Sequence, residues 1–295
     1  MIISASRRTD IPAFYSDWFM RRVHQQYCLC VNPYNRRQVA RVSLQPQDVD
    51  ALVFWTKDAK PLLPRLAELD ALGYRYYFQY TLNGYGNLFE PRVPELESCI
   101  ETFLQLAQRI GPDRVIWRYD PVVFSSQTDG TYHQQRFGYV LERLQSATRR
   151  IVVSIVDDYR KASLNFKRLQ AQGIAIKPEC MPEQLSALCR FMSEQAGRYN
   201  IPVFSCAENI DLIPFGITPG KCVDGELIAR LFGVQVKAGK DRSQRRECGC
   251  LQSKDIGFYD SCLHGCAYCY AGTLQSGLRN RLKHEVDSPM LIGNI

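Results

Sequence analysis

The sequence has no long apolar run, no repeat and no low-complexity tract. No stretch reaches the roughly 18 apolar residues of a membrane span, so we expect no membrane association. Residues 1–10 lack a basic start followed by an apolar stretch of about 7–15 residues, so we expect no signal peptide. Charge is only mildly biased: 37 basic and 30 acidic side chains give a formal charge of +7. That excess permits anionic ligands or nucleic acid without requiring them.

Enough apolar material is present for a large folded core. The 295 residues are 45% hydrophobic and 23% charged, an ordinary globular composition that excludes a disordered, collagen-like or coiled-coil chain. At about 150 residues per domain the length suggests two domains. A single α/β barrel of roughly 250 residues with an appendage fits equally well.

Cysteine is abundant, with twelve residues in the chain. Because we expect no export signal, we expect a reducing cytoplasm, where clustered cysteines indicate metal or redox chemistry more often than disulfides. Seven of the twelve lie close together near the C-terminus: Cys206, Cys222, Cys248, Cys250, Cys262, Cys266 and Cys269. This shift in composition predicts a core over residues 1–210 and a cysteine-rich segment over residues 211–295.

Short apolar runs alternate with amphipathic stretches over the first two hundred residues. The runs predict strands over 2–5, 51–56, 74–82, 114–119, 150–156 and 201–206, and a hairpin over 27–31 and 38–44. The alternation favours right-handed βαβ units and a parallel sheet. An open doubly wound sheet and a partial barrel both fit. We take as the expected fold class an α/β fold, a partial (β/α)6 TIM-like barrel with a C-terminal cluster-binding segment.

Polar residues follow the predicted strands. They include the run Ser6-Arg7-Arg8-Thr9-Asp10, then Lys57, Gln79, Arg118 and Asp120, Ser154, Asp157 and Asp158, and Glu208. Each alone is also typical of a helix cap or a solvated loop, as for Asp10 before Pro12. Because ligands of parallel sheets bind at the carboxyl ends of strands, six such ends together predict a lined pocket there.

The sharpest motif is Cys262-x3-Cys266-x2-Cys269, with Tyr268 directly before the last cysteine. Three thiolates on one tight loop can each hold one iron of a cubane cluster and leave the fourth iron open. Zinc is the rival interpretation, because Cys266 and Cys269 have the spacing of a zinc knuckle. In that case the chain is a non-catalytic, metal-stapled binding protein, with nucleic acid as a candidate partner.

That triplet is similar to the signature of radical S-adenosylmethionine enzymes, and residues 262–271 resemble the branch that includes spore photoproduct lyase. The wider chain resembles the family of unknown function DUF1848, through residues 6–10, 54–57, 118–121 and the cysteine-rich tail. The resemblance implies a [4Fe-4S] cluster and S-adenosylmethionine. Reductive cleavage of the cofactor would give a 5′-deoxyadenosyl radical that abstracts hydrogen from a substrate the resemblance does not specify. It also implies an electron donor such as a flavodoxin or ferredoxin.

The chain departs from this class in one respect. In the usual members the triplet follows the first barrel strand, whereas here it follows the sixth predicted strand. A tail that returns over the mouth of a curved sheet would place the triplet beside the end of strand 2–5.

The resemblance also implies cofactor-binding residues. Arg118, on the fourth predicted strand, is the candidate partner of the methionine carboxylate, since a guanidinium binds a carboxylate bidentately. Tyr268 would lie near the adenine, Gln79 and Ser154 could hold polar atoms of the ligand, and Lys57 is a second cationic candidate.

The remaining four C-terminal cysteines, Cys206, Cys222, Cys248 and Cys250, supply enough ligands for a second iron–sulfur cluster or for a tetrahedral zinc. Free buried thiols are the alternative. His264, inside the triplet loop, could orient the cluster or donate to substrate, and a merely supporting role fits as well. Basic residues flank the tail cysteines, which keeps a phosphate-bearing or nucleic-acid substrate open.

Overall fold

The computed structural model of the protein describes residues 1–157, 159–176 and 182–293, so Asp158 lies outside the described residues. In chain order the strands are β1 Ile2–Ala5, β2 Tyr27–Asn32, β3 Asn35–Ser43, β4 Ala51–Thr56, β5 Tyr76–Thr81, β6 Val115–Val122, β7 Ile151–Ile155, β8 Val203–Ser205, β9 Thr218–Pro219 and β10 Lys254–Asp255. The α-helices are α1 Ile11–Phe14, α2 Ser16–Gln25, α3 Leu66–Ala71, α4 Leu96–Ile110, α5 Gly130–Leu144, α6 Arg160–Ala171, α7 Pro182–Gly197, α8 Gly225–Phe232 and α9 Leu274–Arg281.

Eight of these strands form one parallel sheet in the order β10-β1-β4-β5-β6-β7-β8-β9 within the described residues. The expected α/β fold with a parallel sheet is therefore confirmed. The six expected strands are β1, β4, β5, β6, β7 and β8, and the expected hairpin is the antiparallel pair β2–β3. The two-residue strands β9 and β10 were not predicted, because a run that short has no periodicity to detect.

From β1 to β9 the spatial order of the sheet follows the chain order, and only β10 returns to pair with β1. A doubly wound sheet reverses its direction at a switch point between its two halves. No such reversal occurs between β1 and β9, so the doubly wound alternative is wrong for the described chain.

Alternate strand residues pack on opposite faces of the sheet. Phe54 and Phe78 stack at 4.8 Å on one face, which we call the outer face, in the large core shared with helices α2, α3, α4, α5 and α7. Val53 and Tyr77 point to the opposite face, which we call the inner face, where they pack with Leu227 of α8. This alternation arises because successive strand side chains point to opposite sides.

Residues 211–293 extend this sheet. They supply β9 at one edge and β10 at the other, and α8 covers part of the inner face. The N-terminus of α8 is capped by Asp224, which accepts hydrogen bonds from Glu226 N and Leu227 N. The boundary at residue 210 stays a prediction. No helix among the described residues combines the length and the apolar character needed to span a bilayer.

Candidate active site

A cavity of about 410 Å³ lies at the carboxyl ends of the sheet strands. Its wall includes residues that directly follow β1, β4 and β8, together with the tail loops. All seven C-terminal cysteines line it: Cys206, Cys222, Cys248, Cys250, Cys262, Cys266 and Cys269. Its size falls in the range of about 300–1,000 Å³ that small-molecule sites occupy.

The cysteine triplet, Cys262, Cys266 and Cys269, is carried by a loop fixed to the end of β1 and to neighbouring loops. The Tyr15 hydroxyl donates to Ser261 O at 2.7 Å, and Tyr270 Oη donates to Arg7 O at 2.7 Å. Ala267 N donates to Phe89 O at 2.8 Å. The triplet is therefore beside the end of β1, although it follows β1 by some 250 residues in the chain.

His264, inside this loop, is buried, and its Nε2 lies 2.8 Å from Asp10 Oδ2. Asp10 also accepts hydrogen bonds from Thr56 Oγ1 at 2.8 Å and Lys57 N at 2.7 Å. It caps α1 as well, because its Oδ1 accepts from Ala13 N at 3.0 Å. One carboxylate thus ties the triplet loop to the ends of β1 and β4.

Lys57 lines the cavity next to the triplet and pairs with Glu90, with Nζ 2.7 Å from Oε1. Burial disfavours the ammonium, but Glu90 and the thiol of Cys266 outweigh it and raise the pKa of Lys57. Burial likewise disfavours the Glu90 carboxylate, but Lys57 holds the pKa of Glu90 below its usual value. The Tyr268 hydroxyl donates to the same carboxylate, and Asn83 Nδ2 lies 3.1 Å from that hydroxyl. Both Lys57 and Glu90 are therefore charged.

Arg118 lies between the cavity and the inner face of the sheet. Its Nη1 donates to Gln79 Oε1 at 3.1 Å and contacts Cys222 Sγ at 2.8 Å, and its Nη2 donates to Asp120. Burial disfavours the guanidinium, but Asp120 and the thiols of Cys222 and Cys206 raise the pKa of Arg118. Arg118 thus remains a cation beside buried sulfur.

Ser154, at the end of β7, lines the same cavity and donates to the other oxygen of Asp120. Burial disfavours the Asp120 carboxylate, but Arg118 and the Ser154 hydroxyl hold its pKa below the usual value. Gln79 does not line the cavity. It is buried behind Arg118, and its Nε2 donates to Cys222 O at 3.0 Å.

The remaining thiols, which we call the four-cysteine group, are Cys206, Cys222, Cys248 and Cys250. Cys206 Sγ lies 3.4 Å from Cys222 Sγ. Cys250 Sγ accepts backbone hydrogen bonds from Cys222 N at 3.3 Å and Val223 N at 3.4 Å. A hydrogen bond with Cys250 lowers the pKa of Cys248 to about 7, although burial opposes the thiolate. The chain thus brings these four together from β8, the start of α8 and the tail.

Burial also raises the thiol pKa in the triplet, as the hydrogen bond with Cys222 and burial do for Cys206 in the four-cysteine group. Burial raises the pKa of Cys262 to about 12 and raises that of Cys266 well above the ordinary thiol value. At both positions burial therefore favours the uncharged thiol over the thiolate. Within residues 1–157, 159–176 and 182–293, no three His, Cys, Asp or Glu side chains surround a single point as ligands of one ion would.

The structure therefore brings Lys57, Arg118, Ser154 and Tyr268 around one cavity and leaves Gln79 behind it. Sequence reasoning missed Glu90, which lies in a loop with no motif and is identified only by its buried pairing with Lys57. For Asp10 it left open a helix cap and a place in the pocket wall, and Asp10 does both, because it caps α1, lines the cavity and contacts His264. Each assignment to the cofactor stays a prediction.

Fold and site together define an α/β protein with a cysteine-lined cavity at the carboxyl edge of a parallel sheet. A family model matches residues 2–271, and its description is "Domain of unknown function (DUF1848)". The chain belongs to that family. No curated protein matches the chain, and no solved structure does.

Proposed function

We propose that this protein is a radical S-adenosylmethionine-type iron–sulfur enzyme that cleaves the cofactor reductively and abstracts hydrogen from a substrate. One observation carries the proposal: the cysteine triplet and the strand-end residues Arg118 and Ser154 line the same cavity at the carboxyl edge of the sheet. In parallel sheets that edge is where ligands bind.

The triplet suits a cubane cluster. Its three thiols come from one short loop, in which Cys266 is buried and the other two are half-buried. Gly265 takes a left-handed backbone conformation there, with φ +71°. Each thiolate of a cubane binds a different iron, so the three sulfurs need not surround one point as they would around zinc. Lys57 supplies a nearby positive charge that offsets thiolate charge.

When bound, the cluster and S-adenosylmethionine supply an electron and a carbon radical, and the protein orients them and excludes water. Tyr268, directly before Cys269, presents its ring to the cavity while its hydroxyl is held by Glu90. This fixed ring is the candidate neighbour of the adenine.

Arg118 is the candidate partner of the cofactor carboxylate, with Ser154 beside it. Arg118 already contacts Asp120 and Cys222, so a carboxylate would have to share its donors with them. Gln79 would act from behind by holding Arg118 Nη1. Lys57, paired with Glu90, would act by charge near the cluster.

We propose that the four-cysteine group holds a second metal centre. The 3.4 Å separation of the Cys206 and Cys222 sulfurs is close to the edge of about 3.8 Å that a tetrahedron with metal–sulfur bonds of about 2.3 Å has. Arg118 at 2.8 Å from Cys222 offsets thiolate charge. Four thiolates are a ligand set of both iron–sulfur clusters and zinc. Among the described residues no three of these sulfurs surround a single point, so the group would have to close around one zinc ion, and metal analysis decides between the two centres.

We propose further that the sheet is a partial barrel. Its spatial order follows the chain from β1 to β9, so right-handed crossovers place their helices on one face. That face carries α2, α3, α4, α5 and α7, while the other face encloses α8. In a barrel the helices likewise cover one face of the sheet, the outside, and the other face encloses the interior.

Anaerobic purification tests the function directly. We expect a brown protein that contains iron and sulfide and releases 5′-deoxyadenosine when it is reduced with S-adenosylmethionine and a ferredoxin or flavodoxin as the electron donor. A colourless zinc protein without cofactor cleavage would refute the enzyme and favour a metal-stapled binding protein.

A further inference from the structure

Two arginines that follow β1 have no role in the proposed cluster chemistry. Arg7 and Arg8 line the cysteine-lined cavity and also a second cavity of about 540 Å³, which we call the hairpin groove. The hairpin groove lies between β2–β3 and the tail, with Val31, Gln38 and Ala40 in its wall. The two arginines therefore lie in the wall that the two cavities share.

Neither guanidinium donates a hydrogen bond to any described residue. Arg7 Nη1 lies 3.8 Å from Asp241, and Arg8 Nε lies 3.9 Å from Asp255, both beyond the usual N–H···O length of about 2.7–3.2 Å. Arg7 Nη2 is buried with no hydrogen-bond partner. Both side chains are nonetheless mostly covered, with 15% and 24% exposed.

The nearby carboxylates do not satisfy these donors. Asp255 accepts hydrogen bonds from Ser4 Oγ at 2.8 Å, Ser6 Oγ at 2.7 Å, and the backbone N of Arg7 and Gly257 at 2.9 Å each. All of these donors are electrically neutral groups. The carboxylate thus balances charge near the arginines while its oxygens are already occupied.

Each arginine stacks on an aromatic ring. Arg7 lies over Trp55 at 5.1 Å from the ring centroid, and Arg8 lies over Tyr259 at 4.9 Å. Stacking uses the face of a guanidinium and leaves the N–H donors in its plane available, which is the geometry that binds phosphate and carboxylate. A buried, unpaired donor is costly until an acceptor reaches it.

We propose that Arg7 and Arg8 bind an oxyanion of the substrate, a phosphate or a carboxylate, and that the substrate extends from the cysteine-lined cavity into the hairpin groove. The substrate class rests on the proposed function, but the anion site does not. The sulfur-lined end would hold the reacting carbon, and the arginine junction would hold the charged group.

Calorimetric titration of the anaerobically purified, metal-loaded protein with inorganic phosphate and, separately, with acetate tests this. We expect R7Q/R8Q to bind the preferred anion about 10- to 100-fold more weakly, which is the loss of charge-assisted hydrogen bonds. R7K/R8K keeps the charge but loses the planar fork, so it should weaken binding less. R65Q is the matched control, because Arg65 is exposed and paired with Asp17 away from both cavities.

The site is refuted if wild type binds neither anion, or if R65Q weakens binding as much as R7Q/R8Q does, since the attraction would then be general. Should R7Q/R8Q not fold, R7K/R8K binding as tightly as wild type would refute the site equally. Competition between the anion and S-adenosylmethionine would overturn the assignment to substrate. If wild type cleaves the cofactor and R7Q/R8Q binds the anion as tightly as wild type does, the anion site alone is refuted. If R7Q/R8Q binds the anion more weakly but wild type does not cleave the cofactor, the enzyme alone is refuted.

Discussion

The seven thiols around the cavity fall into two groups that the chain assembles differently. The cysteine triplet comes from residues 262–269, a single loop. The four-cysteine group comes from the end of β8, the segment before α8 and residues 248–250. Their countercharges differ too, since the triplet lies near Lys57 whereas the four-cysteine group contacts Arg118.

Because the two groups are assembled differently, we expect each to lose its metal independently of the other. The triplet depends on a local loop held to β1 and β4 through Asp10 and His264. The four-cysteine group depends on three distant segments meeting, so any change that moves one of them disperses its sulfurs. Lesions in one group should spare the metal of the other.

The largest effect is expected from replacing the triplet. C262A/C266A/C269A should lose about four iron atoms per chain and all release of 5′-deoxyadenosine, because all three protein thiolates of that cluster are removed. Iron and sulfide analysis with product chromatography measures both. C28A is the matched control, because Cys28 is buried in β2 and does not line the cavity. Retention of full iron in the triple variant would contradict the assignment of the triplet.

The second effect is expected at the four-cysteine group. C248S/C250S should remove its metal, iron or zinc, while the iron of the triplet remains. Metal analysis reports the identity, and the absorption spectrum reports which cluster is left. A simultaneous loss of both metals would show that the two groups form one unit, which would break the comparison.

The same contrast explains what the sequence could predict. The α/β class and six strands followed from apolar runs, and the triplet followed from its spacing within one loop. Glu90 and the unpartnered guanidinium of Arg7 could not be found this way. Their roles arise from contacts between segments far apart in the chain, and such contacts leave no local pattern. The strands β9 and β10 were not predicted because their pairing depends on neighbouring strands rather than on their own residues.

A third test removes the cation beside each group of thiols in turn. R118M leaves the partly exposed Asp120 without its cation, and K57M leaves the buried Glu90 without its own. Each should lower the free energy of unfolding by about 3 kcal/mol, since removing one partner of a buried ion pair strands the other. We also expect R118M to reduce metal at the four-cysteine group and K57M to reduce iron at the triplet.

Chemical denaturation and metal analysis together measure these outcomes. R118M/D120N is the matched control, and it should recover part of the stability because no stranded carboxylate remains. Equal metal loss at both groups in both single variants would contradict the separation of the two regions.

The smallest effect on the metal centres is expected from the opposite face of β6, the strand that carries Arg118. Tyr119 points outward and its hydroxyl is 2.8 Å from Nδ1 of His133, which is buried in α5. Burial lowers the pKa of His133 to about 4 from 6.5. The uncharged imidazole is therefore favoured in the folded state, and its contribution to stability is complete above pH 6.5 and is lost as the pH falls toward 4.

We expect wild type to lose up to about 3 kcal/mol of unfolding free energy across that window from this group, and H133Q to lose correspondingly less. Denaturant titrations at several pH values measure the difference. H24Q is the matched control, because His24 lies exposed on α2, and it should follow wild type. An equal loss of stability in wild type and H133Q across that window would contradict the assignment to His133.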